Sequence, residues 1–78
     1  MTRYFFHIRD GDILIEDPDG ADFQNVAEAR AEAILSARDL LAERLRTGGI
    51  LDGQTIEITT SDGLVVAVVP LKDAINNG

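Results

Sequence analysis

Two Asp-Gly dipeptides constrain this chain more than any other feature, because each lies between two short apolar runs. They are Asp10-Gly11 and Asp62-Gly63. Asp-Gly in this setting favours a two-residue hairpin loop, whose central residues need positive φ. The sequence therefore predicts two antiparallel hairpins, at residues 1–17 and 54–70, with a further turn at Asp17-Pro18-Asp19-Gly20.

These loops fix a register, and the register fixes the face on which each side chain lies. With Asp10-Gly11 as the loop, Ile8 is expected opposite Ile13 and Phe6 opposite Ile15. The face expected to meet the helix, called the inner face below, then carries Tyr4, Phe6, Ile8, Ile13, Ile15, Ile56, Ile58, Val65, Ala67 and Val69. The outer face carries a second apolar set, formed by Phe5, Leu14, Leu64, Val66 and Val68.

A long amphipathic segment lies between the hairpins. Asn25 is a good N-cap, and Glu28 three residues later completes the pattern of a capping box. The helix is expected to run from Val26 to about Arg46 within a unit of residues 25–47, because glycines follow directly. Its apolar stripe at helical spacing consists of Val26, Ala29, Ala33, Ile34, Ala37, Leu40, Leu41 and Leu45.

The resulting order of elements is ββαββ. It predicts a single α+β domain over residues 1–78, in two layers, with one long helix packed on one face of a four-stranded antiparallel sheet. Residues 21–24 are expected to link the first hairpin to the helix, and residues 76–78 to fray. A helix of about 31 Å outreaches strands of about 20 Å. Its end near Leu45 is therefore expected to overhang, to pack on Ile50-Leu51, or to meet another chain.

Length and charge limit the classes of function. A chain of 78 residues buries only about 60 % of its unfolded surface, so its stability alone is marginal. The absence of cysteine excludes disulfides, and a single histidine disfavours a zinc site, which leaves either a partner subunit as the stabilising addition or an efficient core on its own. The net charge of −7 opposes nucleic-acid binding and suits either solubility alone or a basic protein partner. No apolar run suggests a membrane span and no signal-peptide pattern opens the chain, so a cytoplasmic location is expected.

Patterns typical of catalysis or metal binding are weak in this chain. His7 has no activated nucleophile beside it. Acidic residues gather at the first turns, but their spacing does not fit a calcium loop; they are Asp10, Asp12, Glu16, Asp17, Asp19 and Asp22. We therefore expect no enzyme activity, no cofactor and no metal. A small hydrolase or metal-dependent enzyme using His7 with Asp10 or Asp12 stays open as an alternative.

Several segments resemble a family of short bacterial proteins. They are Arg3–Gly11, Asp17–Gly20, the alanine-rich helix and Val69–Ala74. Nearly the whole chain is similar to the domain-of-unknown-function family numbered 6894, a resemblance that implies no activity and no catalytic residue. The hairpin, turn and alanine-rich helix also resemble HicB-type antitoxins, which oligomerise and some of which bind a small basic RNase toxin. The Tyr-Pro and Leu-Pro-Gly-Cys motifs of those antitoxins and their DNA-binding module are missing.

The outer face decides the expected function. Because one helix covers one face only, the apolar outer face is left for a partner. We expect a non-enzymatic domain that forms a homo-oligomer, a dimer, or binds another protein through the outer face or a strand edge. The candidate contact residues are Phe5, His7, Leu14, Val66 and Val68, with Leu35 as a second patch. The alternative is an acidic antitoxin-like regulator that binds a small basic toxin.

Overall fold

The structure is a computed structural model that describes residues 1–48 and 53–76. Its elements are, in order, β1 (Thr2–Asp10), β2 (Ile13–Ile15), β3 (Ala21–Phe23), α1 (Val26–Arg46), β4 (Thr55–Thr60), β5 (Val65–Pro70) and α2 (Asp73–Asn76). The strands form one antiparallel sheet in the order β2-β1-β4-β5, with β3 also paired to β1. The predicted α+β class is confirmed, with five strands instead of four. The expectation for Ile50-Leu51 concerns residues 49–52, which lie outside the described residues. Of residues 76–78, which were expected to fray, Asn76 is the last residue of α2 and residues 77–78 lie outside the described residues.

The first hairpin has a register two residues away from the predicted one. Asp10 lies opposite Ile13, so the loop is Gly11-Asp12 and not Asp10-Gly11. Gly11 has a positive φ of 61° and Asp12 does not, as expected for a type II′ turn with glycine first. The predicted register was wrong, but a shift of two residues keeps every side chain on its face. Ile13 and Ile15 therefore lie on the inner face, as predicted.

The segment predicted as a linker is part of the sheet. Ala21–Phe23 pairs with the start of β1, and because Tyr4 is paired with both Ala21 and Thr60, β3 and β4 lie on opposite sides of β1. β2 and β3 thus follow one another along the same edge, separated by the turn at Asp17–Gly20. The linker prediction was wrong because three residues carry too little alternation to reveal a strand that depends on long-range pairing.

The second hairpin keeps the predicted register over most of its length. Ile56 lies opposite Val69, and Ile58 lies opposite Ala67. Both pairs share the inner face with Phe6, which lies opposite Ile58 on the other side of β4. β4 is therefore the central strand on which the apolar rows of both hairpins meet.

A β-bulge near the second loop overturns the inner-face assignment of Val65. The pairing shifts by one residue there, so Val65 lies opposite Thr59 and is 45 % exposed. The loop itself has three residues, 61–63, and is closed by a hydrogen bond from the Gly63 N–H to the Thr60 carbonyl (3.0 Å). A two-residue Asp-Gly loop, as predicted, would have left Val65 in the inner row.

The helix α1 has the bounds predicted from its cap and stripe. Asn25 Oδ1 accepts a hydrogen bond from the Glu28 N–H (2.8 Å), and the Glu28 carboxylate accepts one from the Gln24 N–H (3.0 Å). Gly48, with φ of 78°, follows the helix in the left-handed conformation. The buried positions of α1 are Ala29, Ala33, Ala37 and Leu41. Leu45, predicted in the stripe, is exposed.

The core lies between α1 and the strands β4 and β5. Its members are Tyr4, Ala29, Ala33, Ala37, Leu41, Ile56, Ile58, Val69, Leu71 and Ala74. The small alanine side chains let α1 approach the sheet closely. α1 packs on β4 and β5 and reaches β3, while α2 returns the chain against it, where Arg38 Nε donates to the Ala74 carbonyl (3.2 Å). The helix therefore covers the inner face over β4, over β5 and over the start of β1, where Tyr4 is buried.

Candidate interaction surfaces

The outer face is not the continuous apolar layer predicted from the sequence. β4 runs through its middle and contributes polar side chains, namely Thr55, Glu57 and Thr59. Glu57 is ion-paired with Arg9 of β1, whose Nε lies 3.1 Å from a carboxylate oxygen. β4 thus separates the predicted contact residues on β1, Phe5 and His7, from those on β5, Val66 and Val68.

Phe5 and His7, on the outer face of β1, hold the turn of residues 17–20 against the sheet. Their rings stack with centroids 6.1 Å apart. His7 Nδ1 accepts a hydrogen bond from the Asp17 N–H (3.0 Å). Phe5 lies over Gly20, where an added Cβ would come within 2.9 Å of the ring. Both residues therefore have a structural role that their sequence context did not indicate.

Asp17 is the centre of this turn. One carboxylate oxygen accepts a hydrogen bond from the Phe6 N–H (3.2 Å), and the other accepts from the N–H groups of Asp19 (3.1 Å) and Gly20 (3.2 Å). Burial by itself raises the pKa of this carboxyl, but the three backbone hydrogen bonds and the nearby His7 outweigh it. The pKa therefore lies below its ordinary value of 3.8. The charged carboxylate ties the turn to β1.

The geometry opposes an enzyme that pairs His7 with Asp10. They are three positions apart on β1, so their side chains lie on opposite faces. Asp10 instead accepts hydrogen bonds from Arg44 Nη2 (3.3 Å) and Gln54 Nε2 (3.2 Å). Asp12 is exposed in the hairpin loop. Within the described residues, no group of three or more His, Asp or Glu side chains is placed to hold a metal.

Apolar side chains are exposed along the second hairpin, at the edge of the sheet formed by β5. The four residues, called the valine surface below, are Leu64, Val65, Val66 and Val68. Val68 lies opposite Glu57 and is 51 % exposed, and Val66 is the extra residue of the bulge. β5 has no charged side chain. The structure thus brings the predicted contact residues Val66 and Val68 together in one patch.

The other two predicted contact residues lie apart from both groups. Leu14 lies opposite Arg9 near the end of the first hairpin and is partly buried. Leu35 is on the exposed side of α1, where 51 % of its surface is accessible. Neither residue extends the valine surface.

The inner face carries an apolar groove that the face assignment from sequence did not predict. Ile13 and Ile15, both predicted to lie on the inner face, are 63 % and 53 % exposed. A cavity of about 280 Å³ opens on this side of the sheet, lined by Phe6, Ile8, Ser36, Asp39, Leu40 and Ile56. We call Ile13, Ile15 and these lining residues the isoleucine groove. The predicted width of the sheet could have indicated this groove, because a single helix about 10 Å across cannot cover four strands spaced about 4.8 Å apart.

No helix within residues 1–48 and 53–76 is long and apolar enough to cross a membrane. No curated protein and no solved structure matches the chain. The comparisons do not show the similarity to HicB-type antitoxins. The sequence profile of the domain of unknown function DUF6894 matches residues 3–72, which include both hairpins and α1, and the chain therefore belongs to the DUF6894 family.

Proposed function

We propose that this domain is a non-catalytic protein-interaction module that contacts a second copy of itself, or another protein, through the valine surface at β5. The observation that carries the proposal is a row of exposed aliphatic side chains on an edge strand without a charged residue. Edge strands of monomeric proteins commonly carry charges that discourage pairing with other chains. Exposed apolar patches of this kind mark interaction sites.

The small size of the core favours a stabilising partner at the valine surface. Among the residues that the structure describes, four of the ten buried hydrophobic residues are alanines, and the largest fully buried side chains are Ile56, Ile58 and Val69. A short chain with few large buried side chains has little apolar burial to set against its conformational entropy. A partner that covers the valine surface would add to that burial and stabilise the folded state. His7, the single histidine, serves the turn at residues 17–20, which fits a domain without catalysis.

Light scattering over a dilution series tests the self-association form of the proposal. Val68→Lys is the test variant and Leu35→Lys the matched control, because both side chains are 51 % exposed and neither belongs to the core. We expect the mass of the wild type and of L35K to rise with concentration, and V68K to stay monomeric. A wild type that is monomeric at every concentration removes self-association and leaves only a different protein as partner.

Charge favours a second candidate, an acidic regulator that sequesters a small basic protein. The chain has a net charge of −7, and Asp12, Glu32 and Asp39 have no ion-pair partner among the described residues. Such an excess of carboxylates attracts a basic partner and accelerates its association. Co-expression with a small basic protein encoded by a neighbouring gene tests this candidate. Recovery of the two proteins as separate species counts against it.

A further inference from the structure

The uncovered half of the inner face has the width of one helix. α1 packs on β4 and β5 and, at Tyr4, on the start of β1, which leaves the later part of β1, from Ile8 to Asp10, and β2 without a helix packed on them. Two strands at about 4.8 Å spacing make a strip about 10 Å wide, and an α-helix with its side chains is about 10 Å across. The two-layer arrangement therefore has room for a second helix beside α1, and no described segment of this chain occupies it.

The groove offers an apolar floor and one helical wall. Phe6 and Ile8 form the floor with the exposed Ile13 and Ile15, and Ile15 lies directly opposite Ile8 in the sheet. Leu40, one of the residues that line the cavity, forms part of the wall on α1. A helix that covered this floor would bury aliphatic surface on the sheet side and touch α1 on its flank.

The ends of the groove limit the length of its occupant. The Phe23 ring stacks on Phe6 at a centroid distance of 5.7 Å and bounds one end. The ion pair between Arg44 and Asp10 (3.3 Å) bounds the other. The four residue steps from Phe6 to Asp10 cover about 13 Å at strand spacing, which corresponds to roughly two and a half helical turns.

The charges beside the groove select a basic partner. Glu32 and Asp39 lie on the flank of α1 that carries Ser36, and Asp12 is at the tip of the hairpin. None of these three carboxylates has an ion-pair partner among residues 1–48 and 53–76. Lys or Arg side chains on the flanks of an incoming helix would meet them. A second copy of this chain fits less well, because it carries the same excess of acids and a net charge of −7.

We propose that the isoleucine groove binds an amphipathic helix of another protein, with an apolar face toward Ile13 and Ile15 and basic residues toward Glu32, Asp39 and Asp12. The bound helix would lie beside α1 and complete the helical layer over the sheet. This mode of recognition is that of a helix in a hydrophobic groove. It is independent of the valine surface, which lies at the opposite edge of the sheet.

Designed peptides are the probes for this proposal. One is a Leu/Lys peptide of about ten residues with leucines at helical spacing, a little under three turns long. A Leu/Glu peptide with the same leucine positions and a scrambled Leu/Lys peptide are the controls. Fluorescence anisotropy of each labelled peptide is measured against the wild type and the variants Ile15→Asn, Leu35→Asn and Val68→Asn. These three side chains are matched in exposure, at 53 %, 51 % and 51 %.

We expect the amphipathic Leu/Lys peptide to bind at least about tenfold more tightly than either control peptide, because only it combines an apolar face with positive charge. I15N should weaken its binding about tenfold, whereas L35N and V68N should change it less than about twofold. Asp39→Asn should weaken it about threefold at low salt. Circular dichroism checks that each variant is folded, and Ile13→Asn replaces I15N if that variant is not.

Three results would overturn the proposal. Binding by I15N equal to that of the wild type would show that the peptide lies elsewhere. Equal binding of the Leu/Lys and Leu/Glu peptides would remove the basic partner. A homodimer in sedimentation equilibrium that I15N dissociates and V68N does not would assign the groove to a second copy.

Discussion

The two hairpins of this domain look alike in sequence but are held by different interactions. The first hairpin and β3 are stabilised by the turn of residues 17–20. The Asp17 carboxylate in this turn accepts a hydrogen bond from the backbone of β1, and the Phe5 ring of β1 lies over Gly20. The second hairpin is closed locally, by the Gly63 N–H on the Thr60 carbonyl. Two hairpins predicted from the same Asp-Gly pattern can therefore be stabilised in different ways, one by long-range side-chain contacts and the other by a local backbone turn.

Replacing one turn glycine with alanine in each region should give the largest difference in stability between the two hairpins. Gly20 and Gly63 both have positive φ, 68° and 86°. A Cβ at Gly20 would come within 2.9 Å of the Phe5 ring and of the Tyr4 carbonyl oxygen, whereas one at Gly63 meets nothing within 4 Å. We expect Gly20→Ala to lower the free energy of unfolding by about 3 kcal/mol, from backbone strain and overlap together. Gly63→Ala should lower it by about 1 kcal/mol, from backbone strain alone.

Urea denaturation followed by circular dichroism measures both changes. A further variant, Phe5→Leu with Gly20→Ala, serves as a control, because a smaller side chain at position 5 removes the ring that the new Cβ would meet. The double variant should lose less stability than the sum of the two single changes. Equal losses for Gly20→Ala and Gly63→Ala would show that the Phe5 contact does not support the first hairpin.

The carboxylate of Asp17 should make the stability of the first hairpin depend on pH. Its pKa in the folded protein lies below the ordinary value of 3.8. The stabilisation is therefore fully present above that value and is lost as the pH falls through the lower, folded pKa. Asp17→Asn should cost about 1–2 kcal/mol at neutral pH, because neutral hydrogen bonds replace charge-assisted ones. The difference in unfolding free energy between wild type and D17N should shrink on acidification below about pH 4.

Asp62, in the loop of the second hairpin, is the matched control. The hydrogen bond from the Thr60 hydroxyl (2.7 Å) and one from the Asp62 backbone N–H lower its pKa, so its contribution has the same sign. The side chain is fully exposed and its hydrogen bonds stay within the loop, so solvent screening reduces its effect. Asp62→Asn should therefore change the acid limb of the stability profile less than Asp17→Asn. A larger effect of Asp62→Asn than of Asp17→Asn would mean that the turn of residues 17–20 does not stabilise the sheet.

The parts of the fold that the sequence predicts are those with local causes. The cap at Asn25, the stripe of α1 and the glycine at position 48 are all short-range signals, and they place the helix at Val26–Arg46. The inner face of β1 is likewise predicted, because a register error of two residues moves no side chain across the sheet. Strand β3 is not predicted, because three residues, Ala21–Phe23, form a strand only when β1 is already in place.

The candidate surfaces were predicted in part, and the misses have geometric causes. Val66 and Val68 are exposed as expected, but Phe5 and His7 are engaged by a turn that no local pattern joins to them. The sequence analysis did not predict the isoleucine groove, because the length of the helix relative to the strands indicates only an overhang, whereas the groove depends on the width of the sheet. Ile15 and Ile56 both lie on the inner face, yet only Ile56 is buried. Which strands a helix covers depends on strand order, and strand order cannot be read from alternation alone.

The smallest predicted effect tests the bulge that distinguishes the second hairpin from the first. Val65 and Val69 were both assigned to the inner row, but the structure leaves Val65 45 % exposed and Val69 1 % exposed. Val65→Thr should change the free energy of unfolding by less than about 0.5 kcal/mol, because its hydroxyl stays in water. Val69→Thr, the control, should cost about 2 kcal/mol, because the core gives its hydroxyl no partner beyond its own backbone. Chemical denaturation of both variants decides the point. Similar losses at the two positions would mean that the hairpin has the uninterrupted register of a two-residue loop, in which Val65 returns to the core and is lost from the valine surface.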